Sequence, residues 1–274
     1  VSWIPGRRRA RQAIEEPYED VPDHLVREIW DWVQSAIVSM RSESETQIRL
    51  RMISVELRLV LPGREWTDIF DALGRKCFDD RSLMLDVVEL VLERLDPWVS
   101  KPDVLAAVLV AGNSAYAVRD DGHGLELRLA VGVRNAITET ARHATGSAGE
   151  HLTAAWNAAY GRKTDAPKAY SESIKAVEAA TARLVSPNNA KQTLGTMIRD
   201  VSAKPSKWKF AVADANGDGV ATILRMMRIL WDGQTSRHGG LVSTRSETIV
   251  EARAAVHIAV ALVQFATSKA FDVA

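Results

Sequence analysis

A chain of 274 residues, 46% of them hydrophobic, is long enough for two cores of ordinary size, and its 35 basic and 35 acidic side chains balance. A neutral molecule has no overall field to draw it onto nucleic acid or an anionic membrane, so any such contact must come from a local patch. The single cysteine, Cys77, excludes an internal disulfide and a thiolate metal cluster, and points to a reducing, cytoplasmic compartment.

The dense run Arg7, Arg8, Arg9 and Arg11, followed by Glu15, Glu16, Glu19 and Asp20, reads as a solvated tail over residues 1–20. No apolar stretch of the kind a secretion signal needs follows these arginines. From residue 23, Leu25, Ile29, Val33, Ile37 and Met40 recur at helical spacing behind Pro22 and predict an amphipathic helix. Further helices are predicted over 45–61, ending at Pro62-Gly63, over 66–73, over 80–95, ending before Pro97, and over 103–111. The period then shortens: Tyr116-Ala117-Val118 and residues 125–129 flank Asp120-Asp121-Gly122-His123-Gly124, which predicts a hairpin. A short helix at 135–142 leads into the small-residue stretch 144–149, which predicts the boundary between a helical domain over 21–145 and a second over 146–274.

In the second domain, helices are predicted over 150–160, over 166–185 with Tyr170, Ile174, Val177 and Leu184 as its stripe, and over 190–202. Two more follow, over 219–231 with Val220, Ile223, Met227 and Leu230 inward, and over 246–270, apolar round most of its circumference and therefore central. The longest apolar run, 254–265, is interrupted by His257 and falls short of the roughly 20 residues a membrane crossing needs, so no membrane span is expected. The expected fold is mainly α, two helical domains with one small β-hairpin between them.

Two motifs carry chemistry. Asp214-Ala215-Asn216-Gly217-Asp218-Gly219 has the spacing of the first half of a calcium-binding loop, but Arg225 stands where a bidentate glutamate should close the site. The expectation is a loop in which Asn216 or Asp218 caps the next helix, with no metal bound. The second motif, Leu230-Trp231-Asp232-Gly233-Gln234-Thr235-Ser236-Arg237-His238-Gly239-Gly240, places arginine, histidine and glycines where one apolar helix ends and another begins. It reads either as a helix-terminating loop with Arg237 bonded to carbonyls, or as a ligand site in which glycine permits close backbone approach.

The alanine-rich helix Tyr170-Ser171-Glu172-Ser173-Ile174-Lys175-Ala176-Val177-Glu178-Ala179-Ala180, the Arg237-His238-Gly239-Gly240 junction and the long final alanine-valine helix together resemble the carboxy-terminal (Abi-C) domain of abortive-infection proteins. That domain is a relative of the HEPN superfamily, and the resemblance covers about residues 150–270. Ala155-Trp156-Asn157-Ala158-Ala159-Tyr160-Gly161-Arg162 is also similar to a segment of uncharacterised actinobacterial and phage proteins. The resemblance implies a HEPN-like helical bundle and a metal-independent ribonuclease without cofactor, acting as a homodimer. In such proteins an arginine a short interval ahead of a histidine converges with it across the interface, the histidine as acid or base and the arginine opposing phosphate charge. His238 matches the histidine, whereas the interval for the arginine falls on Trp231, Asp232 and Gly233.

Arg228 and Arg237 are the substitutes, although Arg228 also has the spacing of an i,i+4 pair with Asp232. Arg253 and His257 lie one turn apart on the final helix, with Gln264 two turns further; together with Gln234 they either meet RNA or a nucleotide, or tie the helix to its neighbours or to a second subunit. Trp156, Trp208 and Trp231 are expected as core anchors. The functional expectation is a microbial or phage conflict protein that binds and cleaves RNA, with His238, Arg237 and Arg228 at the reacting phosphate. Its rival is a non-catalytic module that binds a protein partner from host or phage.

Overall fold

The computed structural model describes residues 17–39, 42–189, 191–212, 219–236 and 244–274. The tail arginines, the calcium-loop half at 214–218, and Arg237, His238, Gly239 and Gly240 lie outside the described residues. The fold is mainly helical with two small two-stranded sheets among the described residues, and the chain divides into one unit over residues 1–128 and a second over 129–274.

The first unit is built from α1 (Asp23–Ile37), α2 (Glu43–Glu56), α3 (Trp66–Asp79), α4 (Arg81–Arg94), the single turn α5 (Pro97–Ser100) and α6 (Pro102–Ala111), followed by β1 (Tyr116–Val118) and β2 (Leu125–Leu127). Helix α4 carries an unbroken run of buried residues from Val87 to Leu92 and is the centre of this core. Helix α1 lays Leu25, Ile29, Val33 and Ile37 against it, as the helical spacing predicts, and buries Trp30 and Trp32 as well. Trp30 meets Phe70 of α3 at a ring separation of 4.8 Å.

Helix α3 runs a turn and a half beyond the expected end at residue 73, because Leu73, Gly74 and Cys77 are still on the face turned to the core. Its partner α2 stops early, at Glu56, where Arg58 takes a left-handed backbone with φ of 53°. The hairpin forms as expected, with Tyr116 opposite Leu127 and Val118 opposite Leu125. Gly122 and Gly124 supply positive φ values of 74° and 151° in its turn. The buried Glu89 of α4 accepts the amide N–H of Leu125 at 3.0 Å, fastening the hairpin to the core helix.

The second unit contains α7 (Val131–His143), α8 (Ala148–Tyr160), α9 (Ala166–Val185), α10 (Leu194–Ala203), a single 3-10 turn, β3 (Trp208–Phe210), α11 (Gly219–Asp232), α12 (Ile249–Thr267) and β4 (Phe271–Val273). The break between units falls at residue 128, ahead of the stretch 144–149 that looked like a linker. Ile137 of α7 is buried in the second core, and a Cβ at Gly149 would fall 2.3 Å from the Ala141 carbonyl oxygen. Small residues there serve a close crossing of α7 and α8. The final helix ends at Thr267, short of the expected residue 270, and Lys269 at φ 59° turns the chain into β4. That strand pairs antiparallel with β3, and Trp208 stacks on Phe271 at 5.6 Å.

By length and hydropathy α12 could cross a membrane, yet Ala252, Ala255, Val256, Ala259, Leu262 and Val263 pack into the second core. Such apolarity follows from contact with α8 and α9 on one side and α11 on another.

Cys77 is wholly buried, and burial, with the neighbouring Asp80 adding to it, pushes its thiol up to about 12. A thiol held protonated and out of solvent is inert. Maleimide is therefore expected to leave the folded chain unlabelled at neutral pH and to label it once in denaturant, as mass spectrometry would read; rapid native labelling would contradict the packing.

Candidate functional site

Alanines let α8, α9 and α12 approach closely, and this brings side chains from two of them together at the surface. Tyr160, the last residue of α8, places its hydroxyl 2.8 Å from Nε2 of His257 on α12. The direction of that hydrogen bond follows the imidazole tautomer, the phenol donating to a bare Nε2 or accepting from a protonated one. One turn earlier on α12, the Arg253 guanidinium lies 5.0 Å from the centre of the Tyr160 ring, and its Nε donates to the Ala159 carbonyl at 3.2 Å. Trp156 completes the cluster, tilted against Tyr160 at 4.1 Å and edge-on to His257 at 6.4 Å.

Trp156 and Tyr160 are buried, Arg253 is partly exposed and His257 is exposed. The aromatic rings thus form a fixed floor, and the charged or titratable groups stand on its solvent side. Burial raises the Tyr160 phenol above its ordinary value, with Arg253 opposing. At neutral pH the hydroxyl keeps its proton and shares a hydrogen bond with the imidazole.

Of the residues singled out from sequence, Arg253 and His257 are brought together, and they meet through two residues of the Ala155 to Arg162 segment. Gln264 is exposed further along α12, and Gln234 is partly buried in the turn after α11. Arg228 points away from the expected i,i+4 pair: among the described residues it forms no ion pair with Asp232, and its Nη2 donates to the Ser202 hydroxyl of α10 at 3.1 Å. The expected core anchors divide. Trp156 and Trp208 are buried, while Trp231 is only partly so and lines an open cleft between α10 and α11.

Packing occupies two of positions 231–233, where the resemblance alone would place an arginine. A Cβ at residue 233 would lie 2.3 Å from the Tyr170 hydroxyl, which donates to the Ile229 carbonyl at 3.2 Å and so closes the end of α11. Trp231 packs over Gly195, where a Cβ would lie 2.6 Å from the indole. Two of the three positions are therefore committed to packing.

Residues 237–243 are flanked by a tied stem. The Thr235 hydroxyl donates to the Arg245 carbonyl at 2.9 Å, and the Ser236 amide donates to Oε1 of Glu247 at 2.8 Å. Glu247 is only 4% exposed, and its Oε2 is buried without a hydrogen-bond partner among the described residues. Burial pushes this carboxyl up, but hydrogen bonds from the Ser236 amide, its own amide and the Ser236 and Thr235 hydroxyls outweigh it and hold it below the ordinary range. A buried acid that accepts from the Ser236 amide escaped the sequence reading, since an isolated glutamate before a helix looks like a surface residue.

A second unanticipated pair joins α8 to α9. His151 Nδ1 lies 2.6 Å from Oε2 of Glu172, whose other oxygen accepts from Lys175 at 2.7 Å. Burial raises the Glu172 carboxyl, and the hydrogen bonds from Lys175 and His151 more than offset that, so it stays below its usual value. No family model, curated protein or solved structure matches the chain.

The helix that carries Arg253 and His257 starts at a capping box, legible in Thr248-Ile249-Val250-Glu251. The Thr248 hydroxyl accepts from the Glu251 amide, and the Glu251 carboxylate accepts from the Thr248 amide and pairs with Arg245. The hydrogen bonds from Arg245 and Thr248 hold Glu251 at about 2, below its ordinary 4.5. A depressed carboxyl stabilises the fold above its unfolded value and ceases to do so as pH falls through the folded one. Thr248→Ala is expected to lower the unfolding free energy by about 1 kcal/mol. In urea titrations, Glu251→Gln should lose stability at pH 7 and approach wild type as the pH drops towards 2; an equal deficit at both ends would exclude the linkage.

Proposed function

We propose that the second unit binds RNA or nucleotide phosphates on the exposed side of α12, and that the chain is a conflict protein of the abortive-infection type with a HEPN-like domain that cleaves RNA without metal. The observation that carries this reading is the exposed His257 imidazole, hydrogen-bonded to Tyr160 beside the Arg253 guanidinium. An imidazole takes or gives a proton near neutral pH, and a fixed guanidinium offsets charge gathering on a phosphate in the transition state. His257 would act as acid or base, Tyr160 would relay its proton, and Arg253 would face the phosphate. His238 and Arg237 keep the roles the resemblance implies, with a second copy of the chain completing the site.

The non-catalytic reading also has support. In the first unit Trp98 is 90% exposed, a large apolar side chain left to solvent, and Val104 and Val110 are exposed on α6. On that reading the chain docks a host or phage protein and cleaves nothing.

Cleavage of a labelled single-stranded RNA in chelator separates the two. The nuclease reading expects cleavage by wild type and a loss of about a hundredfold or more in His257→Ala or His238→Ala. Loss in His238→Ala alone would return the chemistry to the junction. No cleavage and no RNA retention by wild type would leave the docking module.

A further inference from the structure

A cleft of about 530 Å³ opens between α10 and α11; the α12 cluster uses none of its lining, and the family resemblance draws on Arg228 alone. Trp231 forms one wall and can lie close to α10 because residue 195 is glycine. Arg228 stands beside it, oriented by the Ser202 hydroxyl, and Arg199, its side chain 73% exposed and paired with Asp200 at 3.5 Å, lines the α10 side. Asp232, at the end of α11, adds a carboxylate.

The volume falls within the roughly 300 to 1,000 Å³ of small-molecule sites. Its lining matches three chemical parts of one ligand. An indole offers a surface for a planar base, guanidiniums with donors in a rigid fork suit phosphate, and a carboxylate that only accepts suits the paired hydroxyls of ribose. A simple anion would leave the indole unused. An acidic peptide would meet the arginines but bring no planar base to the indole.

We infer that this cleft is a binding site for one ribonucleoside monophosphate unit, either a free nucleotide or the phosphorylated end of an RNA strand. It shares no residue with the Tyr160, Arg253 and His257 cluster, so either site can fail without the other.

Equilibrium dialysis of the full chain against AMP, GMP, adenosine, inorganic phosphate and a short 5′-phosphorylated oligoadenylate tests it. Saturable binding of AMP or GMP is expected, with adenosine and phosphate each weaker by about tenfold or more. Arg228→Gln and Trp231→Leu should each weaken the nucleotide by about tenfold, while Trp231→Phe retains most of the affinity. Asp232→Asn should narrow the preference for AMP over its 2′-deoxy form. Arg228 is exposed and its variant should melt with wild type, so a null result from Trp231→Leu through misfolding would not protect the proposal. Tighter binding of the oligoadenylate than of AMP would identify the strand end as the occupant, and equal binding the free nucleotide. Phosphate binding as well as AMP, unchanged affinity in Arg228→Gln, or no saturable binding of any nucleotide up to millimolar concentration would overturn it. Nucleotide binding in a chain that cleaves no RNA would uphold the cleft and remove the nuclease reading alone.

Discussion

Helices α8, α9 and α12 meet through alanine, and the contacts of the second unit follow from that choice. Ala155, Ala159, Ala169, Ala176, Ala252, Ala255 and Ala259 are all essentially inaccessible to solvent. A methyl side chain costs no rotamer entropy and lets helix backbones come near, so a guanidinium on α12 can reach a carbonyl on α8. Longer residues at these seams would hold α12 further off and break the Tyr160 to His257 bond. The same closeness keeps the α12 face turned to α8, α9 and α11 apolar, and Arg253 and His257 stand outside the residues buried there.

Buried carboxylates do comparable work at the edges of both units. Glu89 holds the β-hairpin through the Leu125 amide, and Glu247 holds the chain after α11 through the Ser236 amide. Hydrogen bonds hold the Glu247 carboxyl below its ordinary range, and an ionised oxygen accepting from a backbone N–H is stronger than a neutral pair, which offsets part of the burial cost. The two differ in one respect. Among the described residues Glu247 Oε2 is buried without a hydrogen-bond partner.

Legibility in the sequence tracked how far each feature reaches along the chain. Local periodicity sufficed for the amphipathic helices: Leu25 to Ile37 in α1, Tyr170 to Val177 in α9 and Ile223 to Leu230 in α11 all face inward as spaced. The turn chemistry of Asp120 to Gly124 likewise announced its hairpin. Features that depend on distant partners were hidden. β3 and β4 are three residues each and pair across some sixty residues, too short for any period to register. The glycine and alanine of 144–149 looked like a linker because composition alone does not distinguish flexibility from close packing. Within the site, Arg253 and His257 were legible as a polar stripe on an apolar helix, whereas Tyr160 was not, since only the crossing of α8 and α12 brings it to them.

The junction after α11 shows how packing can displace chemistry along a chain. Gly233 is required by the Tyr170 hydroxyl, and Trp231 is laid against Gly195, so an arginine at either position would cost the closure of α11 or its seat on α10. Arg228 stands one turn back on the same helix, and Arg199 on the neighbouring one. Both line the cleft beside the Trp231 indole. An aromatic ring at a helix end supplies a surface where a guanidinium would supply a point charge. A ligand suited to both presents a flat face as well as a phosphate, which separates the cleft from a site that reads phosphate alone.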